Sequence, residues 1–567
     1  MENSTSNPLY KPKVNELQLT FRAVITGCLL GAVVVAMNIY LGLKTGLTIG
    51  GSLIAAIVTV SVFQVLKPKE AFTVLEANIS QTAGSAAGAM ASSAGLVASI
   101  PALKMLGYEM DLFELFLWAL SVGYLGVFFA VPLREQMIVV EKLRFPTGTA
   151  TAETILATFA EGDEALAKSQ KLLIWGLLAG GFTLAGYFVP ILEHPPIVKW
   201  IGLGVISAWG FSIILSPMLY GVGMIIGPKI GLALQMGWVS GAIMDYKAGP
   251  RGWILWPGVT LMVTDSLLSL VFSWRSVVNT FRSAKVSKSV RKDTVISKKA
   301  WFLGLGTVTI FLITTAYFVF EISPLLTLLA VFMSSLLSLV ATRSTGETDI
   351  NPTGGMGKVA QVAFGAVDPG NISTNLLAAG ITSAGATQAG DMMQDLKAGY
   401  LLGADPGKQF RAQCIGIFFG CLFAIPIYSL FDKVYTIGEE SLPAPAAHAW
   451  KAMAQVLTQG ISALPDKTIS IVLFMVVFSI VLSLLKLNKK IKPWVPSGLA
   501  MGIAFILPPY YAVAIAVGAF FLMVWKKQRP VHCKTYAYAV ASGLIAGEGL
   551  VGVLKAILTL IGIEPLF

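Results

Sequence analysis

Apolar residues in this chain run in long unbroken blocks separated by short polar stretches, and they do not alternate residue by residue. Blocks near 23–43, 47–66, 112–132, 171–192, 203–226, 229–245, 253–274, 301–321, 323–342, 412–431, 468–488, 495–508, 510–525 and 536–562 approach the length that carries a helix across a bilayer. Lipid gives an exposed backbone no partners, so a spanning segment closes its hydrogen bonds as a helix or as part of a closed barrel. The lack of two-residue alternation selects helices. Stretches 73–103, 345–366 and 372–402 are equally long but rich in Gly, Ser, Thr and Asn, while 145–160 and 443–463 carry a proline near their start. These last two are expected to dip into the membrane as re-entrant segments. The pattern predicts an all-α polytopic membrane protein with about 16 transmembrane helices.

Composition excludes a soluble alternative. The chain has 567 residues, 55% hydrophobic and only 13% charged, about half the charge of an ordinary soluble domain. Its net charge of +11 would suggest nucleic acid in a soluble protein, but here the basic residues lie in loops between apolar blocks. They set topology, because Lys and Arg are retained on the cytoplasmic side. The 275–299 loop carries Arg275, Arg282, Lys285, Lys288, Arg291, Lys292, Lys298 and Lys299 against the single acid Asp293, so it is expected in the cytoplasm. The acidic 432–440 loop is expected outside. The chain then divides into a cytoplasmic tail (1–19), a first transmembrane half (20–274), the basic loop (275–299) and a second half (300–567). The first apolar block is long enough to span, so it reads as an uncleaved helix of a multi-pass protein in the plasma membrane.

The halves echo each other. "NISQTAGSAAGAMASSAG" begins at Asn78 and "NISTNLLAAGITSAGATQAG" at Asn371; "FPTGTATAETI" from Phe145 resembles "LPAPAAHAWKA" from Leu442. By the charge assignment the copies enter from opposite faces, so they are expected to be inverted repeats, the arrangement that supports alternating access around a midplane site.

Polar residues recur at helical spacing in these echoes, among them Asn78 and Thr82 in the first copy and Asn371, Asn375 and Gln388 in the second. Hydroxyls and small residues between membrane helices usually serve as packing contacts, whereas asparagines beside acids are equally open to binding a solute. Ionisable residues inside spans are costly and point to function. They include Lys44, Glu76, Glu153, Asp265, Asp391, Asp395, Lys397 and Glu548. Lys44 is open to two roles, a snorkelling loop lysine or a partner for a solute carboxylate. Asp391 and Asp395 stand one helical turn apart. Two carboxylates so placed repel when both are ionised, so the pair gains by holding a proton, which a proton-coupled carrier can use. The expected solute-binding set is therefore Lys44, Asn78, Thr82, Glu153, Asn371, Asn375 and Gln388, and the expected proton-coupling set Glu76, Asp391 and Asp395. No catalytic or metal-ligating cluster of Cys and His is visible, and no cofactor is expected.

Taken together, "NIYLGLKTGLTIGGSLIAAI", "EANISQTAGSAAG", "LRFPTGTATAETI" and "GDMMQDLKAGYLLGADPGKQF" resemble the oligopeptide transporter family, which includes yellow-stripe-like carriers of metal chelates. The resemblance runs from about Thr20 to Ile563. It implies proton symport and a solute among peptides, peptide derivatives and metal–ligand complexes. The short tail and compact loops look like those of a prokaryotic member.

The leading expectation is a secondary transporter whose partners are a small polar solute, protons and lipid, with no nucleic acid; a homodimer is one assembly open to it. A channel would favour several equivalent pore-lining elements, and two divergent polar copies argue for a single asymmetric site. An intramembrane enzyme would need a nucleophile and base or a metal set. No G-x-x-x-x-G-K-[ST] stretch occurs, so energy is expected from an ion gradient.

Overall fold

The computed structural model describes residues 8–160, 162–197, 212–226, 255–272, 295–349, 351, 353–439, 441–460, 468–488, 490–491 and 495–563. The 229–245 block and most of the 275–299 loop lie outside these residues. Those described form helices α1 (Phe21–Thr45), α2 (Ser52–Leu66), α3 (Val74–Ser93), α4 (Ser99–Lys104), α5 (Leu112–Arg134), α6 (Pro146–Ala160) and α7 (Gly162–Phe188). There follow α8 (Pro217–Ile226), α9 (Leu255–Phe272), α10 (Lys298–Phe320), α11 (Pro324–Thr348), α12 (Thr353–Val367) and α13 (Ile372–Leu401). The last are α14 (Pro406–Val434), α15 (Pro445–Gln459), α16 (Thr468–Leu485), α17 (Gly498–Ile506), α18 (Pro509–Gln528) and α19 (Pro530–Leu560). The chain is an all-α polytopic membrane protein: nine described helices are long and apolar enough to cross a bilayer.

Several segments differ from the hydropathy reading, for local reasons. The 47–66 block is helical only from Ser52, because Gly46 ends α1 in the left-handed region at φ 76°. The 73–103 stretch stops at Ser93 and resumes at Ser99, with Gly95 at φ 75° between. The 495–508 block yields only the nine residues of α17, too few to cross. α6 and α15 are each 15 residues, and each opens on a proline preceded by a non-glycine residue in the left-handed region, Phe145 (φ 44°) and Ala444 (φ 43°).

The two halves repeat this order of elements. α1, α2, α3, α5 and α6 correspond to α11, α12, α13, α14 and α15; the first pair has 25 residues in each copy, and the second and last pairs have 15 in each. The copies are inverted. α5 packs antiparallel to its counterpart α14: Phe116 meets Phe418, the Tyr124 hydroxyl donates to the Cys414 carbonyl, and Phe128 meets Phe410. α14 runs parallel to α3, with Gly416 against Ala83 and Gly420 against Ala87. α5 runs parallel to α13, with Trp118 near Gly380 and Gly126 against Gln388. α3 and α13 therefore point in opposite directions. Two reciprocal hydrogen bonds tie the copies together. Phe145 N donates to Gly346 O at 2.9 Å, and Ala444 N donates to Leu43 O at 2.7 Å. In each, the start of a short helix in one copy meets the last turn of the long helix of the other.

Small residues let the helices approach. A Cβ at Gly27 or Gly31 of α1 would overlap Ser80 or Ala87 of α3, as expected where lipid gives helices no hydrophobic drive to associate. Gly84-x-x-x-Gly88 on α3 and Gly416-x-x-x-Gly420 on α14 line helix contacts, whereas in Gly42-x-x-x-Gly46 the second glycine ends α1.

Candidate functional site

The breaks between α1 and α2 and between α11 and α12 leave two half-length helices in corresponding places. Buried polar side chains gather around both. In the first copy Ser52, at the start of α2, donates to Ser85 of α3 at 2.9 Å and to Asp395 Oδ1 of α13 at 3.2 Å. On α3, the Gln81 amide donates to Asn78 Oδ1 and Thr82 Oγ1. Gln409 of α14 donates to Thr82 at 3.2 Å and to the Asp395 carbonyl at 2.9 Å. Asn38 of α1 holds the non-helical 46–51 segment in place: its Oδ1 accepts from Ile49 N, and its Nδ2 donates to Ile49 O and to Gly88 O of α3.

This seam between α3, α13 and α14 is incompletely paired. Asn78 Nδ2, Gln81 Oε1, Asp395 Oδ2 and both amide atoms of Gln388 and Gln413 are buried without a hydrogen-bond partner. Each such atom forfeits its hydration, at about 1–3 kcal/mol. Such a concentration calls for further polar partners, which an ordered water, an ion or a bound solute can supply. The seam thus brings together Asn78, Thr82, Gln388 and Asp395 of the expected residues, with Asp391 half-buried one turn from Asp395. Gln409 and Gln413, which join it from α14, were not anticipated. Their signal in the sequence is weak: two amides one turn apart beside Lys408 and Arg411 in the first turns of α14.

Lys44 belongs to a second cluster. It lies in the last turn of α1 and is 6% exposed, so it is not a snorkelling loop residue. Its Nζ is 3.7 Å from Glu548 of α19 and sits over the rings of Tyr40 and Tyr511. Glu548 also accepts from Ser216 Oγ and Met218 N. Lys555, nearly two turns on, pairs with Glu193 at 2.7 Å.

Three expected residues lie elsewhere. Glu76 caps α3 and is held by Arg22 at 2.7 Å and Thr20 at 2.6 Å, geometry that anchors a helix end. Asn371 is the N-cap of α13, exposed, accepting from Thr374 N. Its positional counterpart is Thr73, the N-cap of α3, so the matching Asn-Ile-Ser triplets are out of structural register. Glu153 is exposed on α6. Asn375 forms a third group: its Nδ2 donates to Gln361 O at 2.6 Å and its Oδ1 accepts from Gln361 Nε2 at 3.2 Å. Asp265 is paired with Lys486 at 2.7 Å.

Comparison with known proteins places these features in context. The profile of the family described as OPT oligopeptide transporter protein matches residues 18–559. A Saccharomyces cerevisiae protein provisionally named an oligopeptide transporter is 27% identical, over 95% of this chain and 95% of its own. A protein of Oryza sativa subsp. japonica provisionally named a metal-nicotianamine transporter is 27% identical, over 78% and 69%. A metal-nicotianamine transporter of Arabidopsis thaliana is 25% identical, over 98% and 95%.

Proposed function

The chain belongs to the oligopeptide transporter family, and from that premise we propose that it is a proton-coupled symporter of small peptides or peptide-like solutes, which it binds in the seam between α3, α13 and α14. That it is a transporter follows from the family. The seam is supported as the solute path by one observation above all: buried amide and carboxylate atoms without partners gather where the inverted copies meet, beside the start of half-length α2. Broken helices at a repeat interface are where carriers of this architecture hold solute and coupling ion.

Asn78, Thr82, Gln388, Gln409 and Gln413 offer amides and a hydroxyl for peptide groups. Asp395, with Asp391 beside it, is the proton carrier in this reading, since it is a buried carboxylate without an ion-pair partner among the described residues, held by neutral side chains such as Ser52. Glu76 is set aside for coupling because Arg22 and its capping role hold it. A metal chelate is the second reading, favoured by the names of the rice and Arabidopsis relatives. Membership of the plasma membrane, with the 275–299 loop and amino-terminal tail in the cytoplasm, completes the proposal.

Purified protein in liposomes, given labelled di- and tripeptides and a metal–nicotianamine chelate, tests it. Saturable uptake with counterflow is expected. Flux that rises linearly with concentration and shows no counterflow indicates a channel instead.

A further inference from the structure

We propose that Lys358, on half-length helix α12, receives the terminal carboxylate of a peptide-like solute in a site closed by Trp450, Gln361 and Asn375. The inference rests on the transport reading and adds to it a second station on the solute's path, at the Asn375 end of α13 and apart from the seam at its Asp395 end, where the carboxylate of the passing solute is recognised.

Lys358 is 4% exposed and lies within the second repeat. Its Nζ donates to Gln361 Oε1 at 3.0 Å and stands 4.6 Å from the centroid of the Trp450 ring. No carboxylate among the described residues comes within ion-pair distance of it. α12 and α15 contain no acid. On the other helices packed against α12, Asp265 of α9 is committed to Lys486 and Leu499 N, and Glu347 of α11 to Arg343. Asp391 and Asp395 lie near the far end of α13 from Asn375, which sits beside Gln361.

A buried ammonium is costly unless it is paired with an anion. It carries three donors, and only one is taken, by a neutral amide. The other contacts are prearranged. Gln361 Nε2 is committed to Asn375 Oδ1 and, at 3.0 Å, to the Trp450 carbonyl, which turns its Oε1 toward Lys358. The Trp450 ring covers one side of the ammonium and lowers the local dielectric, which strengthens an ion pair there. A single ammonium flanked by an aromatic face and amides suits a monoanion, and a carboxylate is the anion that every peptide bears at its end. Trp450 belongs to α15, the short helix whose start is tied to α1 by the Ala444–Leu43 hydrogen bond. Binding at Lys358 would thus be felt at the joint between the repeats.

The test measures uptake and, by thermal shift in detergent, binding of a labelled tripeptide and its carboxy-terminal amide, in the wild type, Lys358→Met and Lys358→Arg. The wild type is expected to take the acid with a KM at least tenfold below that of the amide. Lys358→Met should raise the KM for the acid to that of the amide and leave the amide unchanged. Lys358→Arg should keep most of the preference. Lys358→Gln serves in place of the methionine variant if that fails to assemble. A wild type that carries acid and amide equally, or a folded Met or Gln variant that keeps the preference, overturns the inference while transport stands. Uptake of the chelate alone does the same. A wild type that neither binds nor carries any of the three overturns the transport reading as well.

Discussion

At the scale of single residues, burial and pairing separate groups that the sequence presents alike. Asn78 and Asn371 open matching triplets, yet one lies inside the seam and the other caps a helix. Asn371→Ala should therefore lower stability by about 1 kcal/mol, as loss of an N-cap does, and leave solute affinity unchanged. Asn78→Ala should weaken affinity about two- to tenfold, the worth of one net hydrogen bond, at normal expression. Affinity and melting temperature measured on both variants check the contrast, and the reverse pattern would put the site elsewhere. Glu76→Gln should likewise act on stability, by about 1–3 kcal/mol, because a charge-assisted pair to Arg22 is weakened; thermal melting in detergent reads this, and uphill uptake should survive. The sequence marks ionisable residues in apolar surroundings well, but it is silent on their partners. Arg22 is 54 residues from Glu76 in the chain. Lys358 stands in the Gly-rich 345–366 stretch with no other charged residue nearby to mark it as a site, and Trp450, 92 residues on, reaches it only through the fold.

At the scale of elements, hydropathy finds the long apolar helices readily, since α5, α11 and α14 need only length and composition. It reads the half-length helices poorly. What stops α1 at Thr45 is a left-handed Gly46 held against Pro445, a contact between copies that no local pattern records. The polar helices α3 and α13 owe their burial to small residues on both sides, and that is testable. Gly416→Val should destabilise by about 1–3 kcal/mol, the usual cost of overpacking, since even a Cβ there would overlap the α3 backbone. Gly50→Ala, with nothing near the added carbon, should be neutral. Melting curves of the two variants decide whether close approach of α14 to α3 holds the seam together.

At the scale of the whole molecule, the proposed transport cycle needs a seam that each face reaches in turn, and inverted repeats are the architecture that suits this. The charge pattern of the loops predicts the sidedness. A cysteine in the 275–299 loop should be labelled only from the cytoplasm and one at Glu439 only from outside; labelling of both from one side would contradict the assigned topology. The existence of the repeat was legible from its Gly/Ala-rich echoes. Its true register was not, because N-cap asparagine and threonine are interchangeable in geometry but not in a string comparison. The most direct test of the central claim is uptake into liposomes driven by a proton gradient, comparing the wild type with Asp395→Asn and Asp391→Asn. The wild type should accumulate peptide above its external concentration when the gradient is imposed, and a protonophore should abolish this. Asp395→Asn should lose accumulation yet retain counterflow exchange. Accumulation that proceeds unchanged in both variants, with the same dependence on pH, would contradict the account.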